Sequence, residues 1–314
     1  MPHAVTALAP VLLLILLGLG LKRSGAMGED MWSALEHLCY YVLFPALIVR
    51  TVALADFGSL SVLGLVLGFY TALVAATGIL VLGKRALASA FGLSDAGFTS
   101  LFQACTRWHG FMALSIINAL YGAAAIPVVA VALAALVPAL NVVNVGVLLA
   151  WGERNGGPRP AIGRELLRNP FILSCGLGAL LNATHLGLPE PLATALKSLG
   201  DGSLGISLIT IGAGLKPLRS GGETGALVLG IAFRLLLMPL MFYLALGAFG
   251  VVGPVRTVAV LCGAVPTAAS AYVLARNMGG DAPLMAGMIT AQVMAAFVTL
   301  PVVTTILEWA SGHF

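Results

Sequence analysis

Charge is scarce in this sequence. Asp, Glu, Lys and Arg make up 9% of its 314 residues and hydrophobic residues 60%, where an ordinary soluble domain carries roughly 25% charged residues. So few charges cannot clothe a folded chain in a water-facing surface, which excludes a soluble fold and leaves an all-α integral membrane protein as the expected class. The cysteines are only four, Cys39, Cys105, Cys175 and Cys262, all inside apolar stretches. They lack the paired spacing of a zinc site and the loop placement of a disulfide framework, so they read as small core residues, and neither a metal nor a cofactor is expected. HExxH, GxSxG and the GxxxxGK[ST] phosphate loop are missing, and the histidines (His3, His37, His109, His185 and His313) are scattered. No two carboxylates share mid-membrane depth in one span, so hydrolytic chemistry has little support and the chain reads as a non-enzyme. The formal charge of +4 comes from basic residues that recur between apolar runs instead of clustering with aromatics, so no nucleic acid partner is implied.

What is present is a succession of apolar runs. A hydrocarbon core about 30 Å thick needs about 20 apolar residues per helix. Candidate spans fall at 4–21, 33–54, 60–82, 98–121, 125–151, 169–186, 193–215, 224–249, 256–275 and 284–308. The first has Lys22 and Arg23 after its apolar run, unlike a cleaved signal peptide, and is expected to remain as a span. Lys22, Arg23, Lys84, Arg85, Arg154, Arg159, Arg164, Arg168, Lys216, Arg219 and Arg276 lie in odd-numbered connections, whereas Arg256 lies in an even one and Arg50 near a span end. Basic loops stay on the cytoplasmic side, so a multi-pass protein of the inner (plasma) membrane with both termini outside is expected, surrounded by membrane lipid. An odd number of spans per half then makes the halves inverted repeats: 1–151 a first five-helix repeat, 152–168 a Gly-, Pro- and Arg-rich cytoplasmic linker, and 169–314 the second five-helix repeat. Pro10 and Gly18 recur in spacing as Pro170 and Gly178 (18 − 10 = 178 − 170 = 8), which suits close helix packing.

One span in each half is interrupted by helix-disrupting or polar residues. ACTRWHGFMALSIINALYG (104–122) laid over LCGAVPTAASAYVLARNMGG (261–280) keeps Cys105 opposite Cys262 and Gly122 opposite Gly279, each pair 157 apart (262 − 105 and 279 − 122). Broken backbone survives in lipid only where it lines a cavity, so paired breaks point to a binding site between repeats. Pro266 removes a backbone donor and frees the amides of Thr267, Ala268 and Ala269 at a half-helix N-terminus, which favours a carboxylate; a packing kink is the alternative. In the other half, Arg107, His109, Gly110, Ser115 and Asn118 supply the interruption. Arg107 either balances an anion in a polar interior or snorkels to the interface. His109 could exchange a proton near neutral pH. Asn141 and Asn144, three residues apart, present amides either to a carboxylate or to a neighbouring helix. Asp201 and Glu36 are further candidates for proton coupling, although Lys197 and Asp201 at i, i+4 can neutralise each other. Arg234 could pair with an acid or line the route.

PTAASAYVLARNMGGD (266–281), GFMALSIINALYG (110–122), PALNV (138–142) and LGDGSLGISLITIGAGLKP (199–217) together resemble the auxin efflux carrier family of transporters, which includes bacterial malate and malonate carriers and the plant PIN proteins. The resemblance covers nearly the whole chain. It implies ten transmembrane helices in two inverted five-helix repeats, with broken helices 4 and 9 crossing in a transport domain beside a scaffold domain. It further implies secondary active transport of a small organic anion (a carboxylate, auxin-like or a dicarboxylate) by an elevator-type movement; a homodimer is a separate candidate assembly. Pro266 matches the crossover proline and Asn118 a polar crossover position. The chain departs from many members at Ser115, where they carry proline, and at Trp108-His109, where they carry asparagine. It also lacks the long cytoplasmic loop of many plant members, like a short prokaryotic form. The alternatives are a sodium-coupled anion symporter of the bile-acid type, which would want acidic residues around the crossover, and a membrane sensor or intramembrane enzyme built on His109 and Ser115.

Overall fold

The computed structural model describes residues 2–55, 61–153, 170–215 and 224–310, and among these the backbone is helical with no strand. A helix occupies each apolar stretch because a backbone in lipid must satisfy its N–H and C=O groups internally. In chain order the helices are α1 (Pro2–Arg23), α2 (Glu29–Ala53), α3 (Val62–Leu82), α4 (Lys84–Phe91), α5 (Asp95–Thr106), α6 (Gly110–Tyr121) and α7 (Ala123–Trp151). They continue as α8 (Pro170–Ala183), α9 (Glu190–Ala213), α10 (Thr224–Ala248), α11 (Gly253–Ala264), α12 (Ser270–Met278) and α13 (Ala282–Ala310). Five of them, α2, α3, α7, α10 and α13, are long and apolar enough to cross a bilayer. Large apolar side chains such as Val74, Leu82, Val298, Ile306 and Trp309 stand exposed, which suits a surface solvated by acyl chains. The chain is an all-helical membrane protein.

The helices fold into two compact units that cut across the sequence halves. Unit 1 comprises residues 1–63, 110–134 and 163–214, and unit 2 comprises 64–109, 135–162 and 215–314. Each unit therefore draws on both halves of the chain. Of the linker expected at 152–168, Gly152 and Glu153 are described. The rest, with Arg154, Arg159, Arg164 and Arg168, lies outside the described residues, as do Lys216 and Arg219.

In unit 1, α1 and α9 meet backbone to backbone. A Cβ at Gly212 would lie 1.8 Å from the Ile15 carbonyl oxygen, and one at Gly18 would lie 1.9 Å from that of Ile209. Only glycine fits such an approach, and without a hydrophobic force between helices in lipid this packing holds them together. Gly178 of α8 sits against Val52 of α2 in the same way, and Asn182 Nδ2 donates to the carbonyls of Ala53 and Ala55, satisfying the frayed end of α2. Gly18→Ala and Gly212→Ala should each destabilise the protein by about 1–3 kcal/mol through overpacking, whereas Gly20→Ala, with nothing within 4 Å of its added Cβ, should be neutral. Thermal unfolding of the three purified variants checks this, and equal melting temperatures would refute the close approach.

Unit 2 packs α3, α10 and α11 around the aromatic pair Phe69 and Phe242, whose centroids are 5.2 Å apart. At one end of the unit, Lys84 pairs with Asp95 and lies 5.2 Å from the Trp151 ring centroid. Helix α10 accommodates Pro239 by a π-helical turn over Phe233–Leu237, just as α2 accommodates Pro45 by one over Cys39–Leu43. A wider turn relieves the missing proline donor and the ring clash without ending the helix. In α10 that turn also carries Arg234, in the middle of the helix.

Candidate functional site

Unit 2 contains two interruptions of helix, one between α5 and α6 and one between α11 and α12. At the second, Val265 is extended (φ −80°, ψ 152°), the conformation that a following proline imposes on its neighbour. The chain stays non-helical through residue 269 and α12 begins at Ser270. At the first, Arg107 is extended (φ −67°, ψ 151°) with no proline nearby. What holds this break open is tertiary: the Trp108 ring is buried in a cleft with Leu73, Leu136 and Phe242, and the His109 N–H donates to the Pro266 carbonyl at 2.9 Å. That bond ties one break to the other and satisfies two groups that neither helix can.

A fully buried side chain, Gln292 of α13, completes the arrangement. Its Oε1 accepts from the Thr267 N–H at 2.9 Å, and its Nε2 donates to the carbonyls of Ala104 in α5 and Gly230 in α10, each at 2.9 Å. One amide thus serves the backbone of both broken helices and a third. The Thr267 hydroxyl points to the Gln103 carbonyl at 3.4 Å. The amide of Thr267 is therefore engaged by Gln292, and the half-helix α12 begins at Ser270, directly after the three amides that Pro266 alone would suggest; in its first turn the Ala271 and Tyr272 N–H groups donate to the Ala268 and Ala269 carbonyls. Ala268 is half-buried in the intervening stretch. Gln292 escaped the sequence reading because a lone mid-span glutamine among Met, Ile, Thr and Ala has no pattern; its one signal is a polar group at membrane depth.

Arg107 is partly exposed and lies beside the start of α12. Its Nη2 donates to Asn141 Oδ1 at 3.3 Å and to the hydroxyl of Ser270, the first residue of α12, at 3.5 Å. Both bonds are long and both acceptors neutral. A guanidinium next to a half-helix N-terminus stacks two features that favour an anion, a full charge and the positive end of a helix dipole. Asn141 shares this place. Asn144, one turn along α7, is fully buried: its Nδ2 donates to Leu140 and its Oδ1 faces the Thr106 hydroxyl at 3.1 Å. It is engaged in packing α7 against α5.

Arg107, His109, Asn141, Asn144, Pro266, Thr267 and Ala268 thus lie in unit 2. Gly110, Ser115 and Asn118 belong to α6 and unit 1. There Ser115 is buried with its hydroxyl 3.3 Å from that of Ser207 in α9, and Asn118 is half-buried. Of the coupling candidates, His109 is buried at the break, Asp201 is exposed and paired with Lys197 at 2.7 Å, and Glu36 is exposed on α2. The described residues contain no cluster of His, Cys, Asp and Glu able to hold a metal.

Two comparisons bear on this geometry. The family of membrane transport proteins matches residues 160–304. An uncharacterized transporter of Methanothermobacter thermautotrophicus is 27% identical over 303 residues, covering 95% of this chain and 96% of that protein. Both point to a membrane transporter and away from an enzyme.

Proposed function

With the chain placed by its motifs and these matches among the transporters of the auxin efflux carrier family, we propose that it is a secondary carrier of a small organic anion whose carboxylate binds where Arg107 meets the N-terminus of α12. That juxtaposition is the observation carrying the proposal: it joins a full charge, the positive end of a helix dipole and a partly exposed approach at a break in the membrane. His109, Pro266, Thr267 and Asn141 shape the surroundings. The bond from His109 to Pro266 and the three bonds of Gln292 make the two breaks move together, so unit 2 is the body we assign to an elevator-type movement. A ten-span chain of two inverted repeats, with broken helices 4 and 9 crossing, suits this mechanism because it allows inward- and outward-facing states of similar energy.

Uptake of a panel of labelled carboxylates into proteoliposomes, with a proton or sodium gradient applied in turn, tests the function and identifies the coupling ion. No uptake of any carboxylate under either gradient would overturn it. The orientation follows from the Lys/Arg distribution: we place both termini outside and 152–168 inside. Single cysteines at Ser59 and Gly157 in a cysteine-free background should then label from opposite sides of the membrane, and labelling from the same side would end the inverted-repeat assignment.

A further inference from the structure

Among the described residues, Arg234 is the most enclosed cation in unit 2. It sits ten residues into the 25-residue α10 (234 − 224), at 1% exposure, on the π-helical turn. Its Nε donates to the Val265 carbonyl at 2.8 Å, the C-terminal cap of α11 just ahead of Pro266. Nη2 has no hydrogen-bond partner, and no described carboxylate forms an ion pair with the residue. The Cys105 and Cys262 thiols are its electrostatic neighbours.

Burying a guanidinium at mid-membrane without a counter-charge is expensive, and the bond to Val265 accounts for one of its donors alone. A neutral donor would cap α11 as well, so capping does not explain the choice of arginine. Arg234 lines a narrow cleft with Thr106, Trp108, Leu73, Leu136 and Phe242. Thr106 and Trp108 flank Arg107 in the chain, so the cleft opens off the same break that carries the proposed carboxylate site. Its other walls are apolar and contain no acid. As it stands the cleft is too tight for a ligand, and Trp108, a residue of the break, is one of its walls.

We propose that Arg234 is a second anion-binding residue of this carrier, which takes a carboxylate on its unpartnered Nη2 once the Trp108 ring yields. The inference rests on the carboxylate reading given above and adds a residue on α10. It makes Trp108 a reporter, because an anion on Arg234 changes the environment of that ring.

The test uses the full-length protein with Trp32, Trp151 and Trp309 changed to Phe, so that fluorescence reports Trp108 alone. Carboxylates from the uptake panel and chloride are titrated separately. Carboxylate should shift Trp108 emission. Arg234→Gln, which keeps a donor for Val265 but loses the charge, should weaken carboxylate binding at least 10-fold and abolish the shift. Arg234→Lys retains charge without the planar fork and should weaken binding less than the Gln variant but measurably; it carries the test should the Gln variant fail to fold. Wild-type affinity and emission shift in either variant would overturn the inference while leaving the carboxylate reading standing. A Trp108 response to chloride only, with carboxylates bound silently, would show an inorganic anion at Arg234 and overturn its role in substrate binding. No carboxylate binding by the wild type would overturn both readings.

Discussion

Gln292→Leu should destabilise the protein by about 3 kcal/mol or more and remove uptake. Gln292 serves the Thr267 N–H and the Ala104 and Gly230 carbonyls, and a buried backbone group left without its partner costs about 1–3 kcal/mol. Even at the lower end for each group, three such losses amount to roughly 3 kcal/mol, which for a chain of this size corresponds to about 6–12 °C in melting temperature. The function suffers beyond the stability because the two breaks lose the amide that couples them. Gln103→Leu is the contrasting case. Gln103 is equally buried, yet neither atom of its side-chain amide has a hydrogen-bond partner, and replacing an unsatisfied buried amide by an apolar group of similar size is neutral or stabilising. Thermal unfolding of both variants decides the matter. A Gln103→Leu variant as unstable as Gln292→Leu would mean that the satisfied bonds do not set the stability. A stable Gln103→Leu variant without uptake would place that amide in the transport route.

The helices were legible because lipid leaves the backbone little choice: apolar runs of span length become helices, and their places follow from composition. The break at Pro266 was legible for a local reason, since the ring dictates the extended Val265. The break at Arg107 has no such cause, and its residues announced only polarity at depth; Trp108 shares its cleft with residues of α3, α7 and α10, and the bond from His109 joins it to Pro266, 157 positions away (266 − 109), which periodicity does not encode. The same reason hid Gln292. The Lys197 and Asp201 pair could be read from spacing alone because its partners are one helical turn apart. Packing units were not legible. Chain order separates the halves at 151, whereas compactness assigns α6, with Ser115 and Asn118, to one unit and the breaks to the other. A sequence shows which residues are polar and which helices are broken, but the unit to which each piece belongs depends on contacts such as the glycine seam of α1 and α9, where a single Cβ changes what can pack.

Arg107→Ala should reduce carboxylate affinity by about 10- to 100-fold and leave the fold intact. The size follows from a charge-assisted hydrogen bond, worth about 1.5–3 kcal/mol, with each 1.4 kcal/mol a factor of ten in affinity. The fold should tolerate the change because Arg107 is partly exposed and its bonds to Asn141 and Ser270 are 3.3 and 3.5 Å long, near the limit of useful geometry. Loss of these weak bonds to neutral oxygens costs little, whereas loss of the charge removes the feature that selects an anion. Arg107→Lys should fall between, since the ammonium supplies charge without the fork that grips two carboxylate oxygens. Equilibrium binding, measured beside thermal unfolding, separates the two effects, and a neutral amide analogue of the substrate serves as the control: its affinity should be the same in wild type and Arg107→Ala. Equal loss for the acid and the amide would mean that Arg107 shapes the break and does not meet the charge. Unchanged carboxylate affinity in a folded Arg107→Ala variant would move the anion away from the start of α12, because the half-helix terminus would then be acting without the guanidinium that lies beside it.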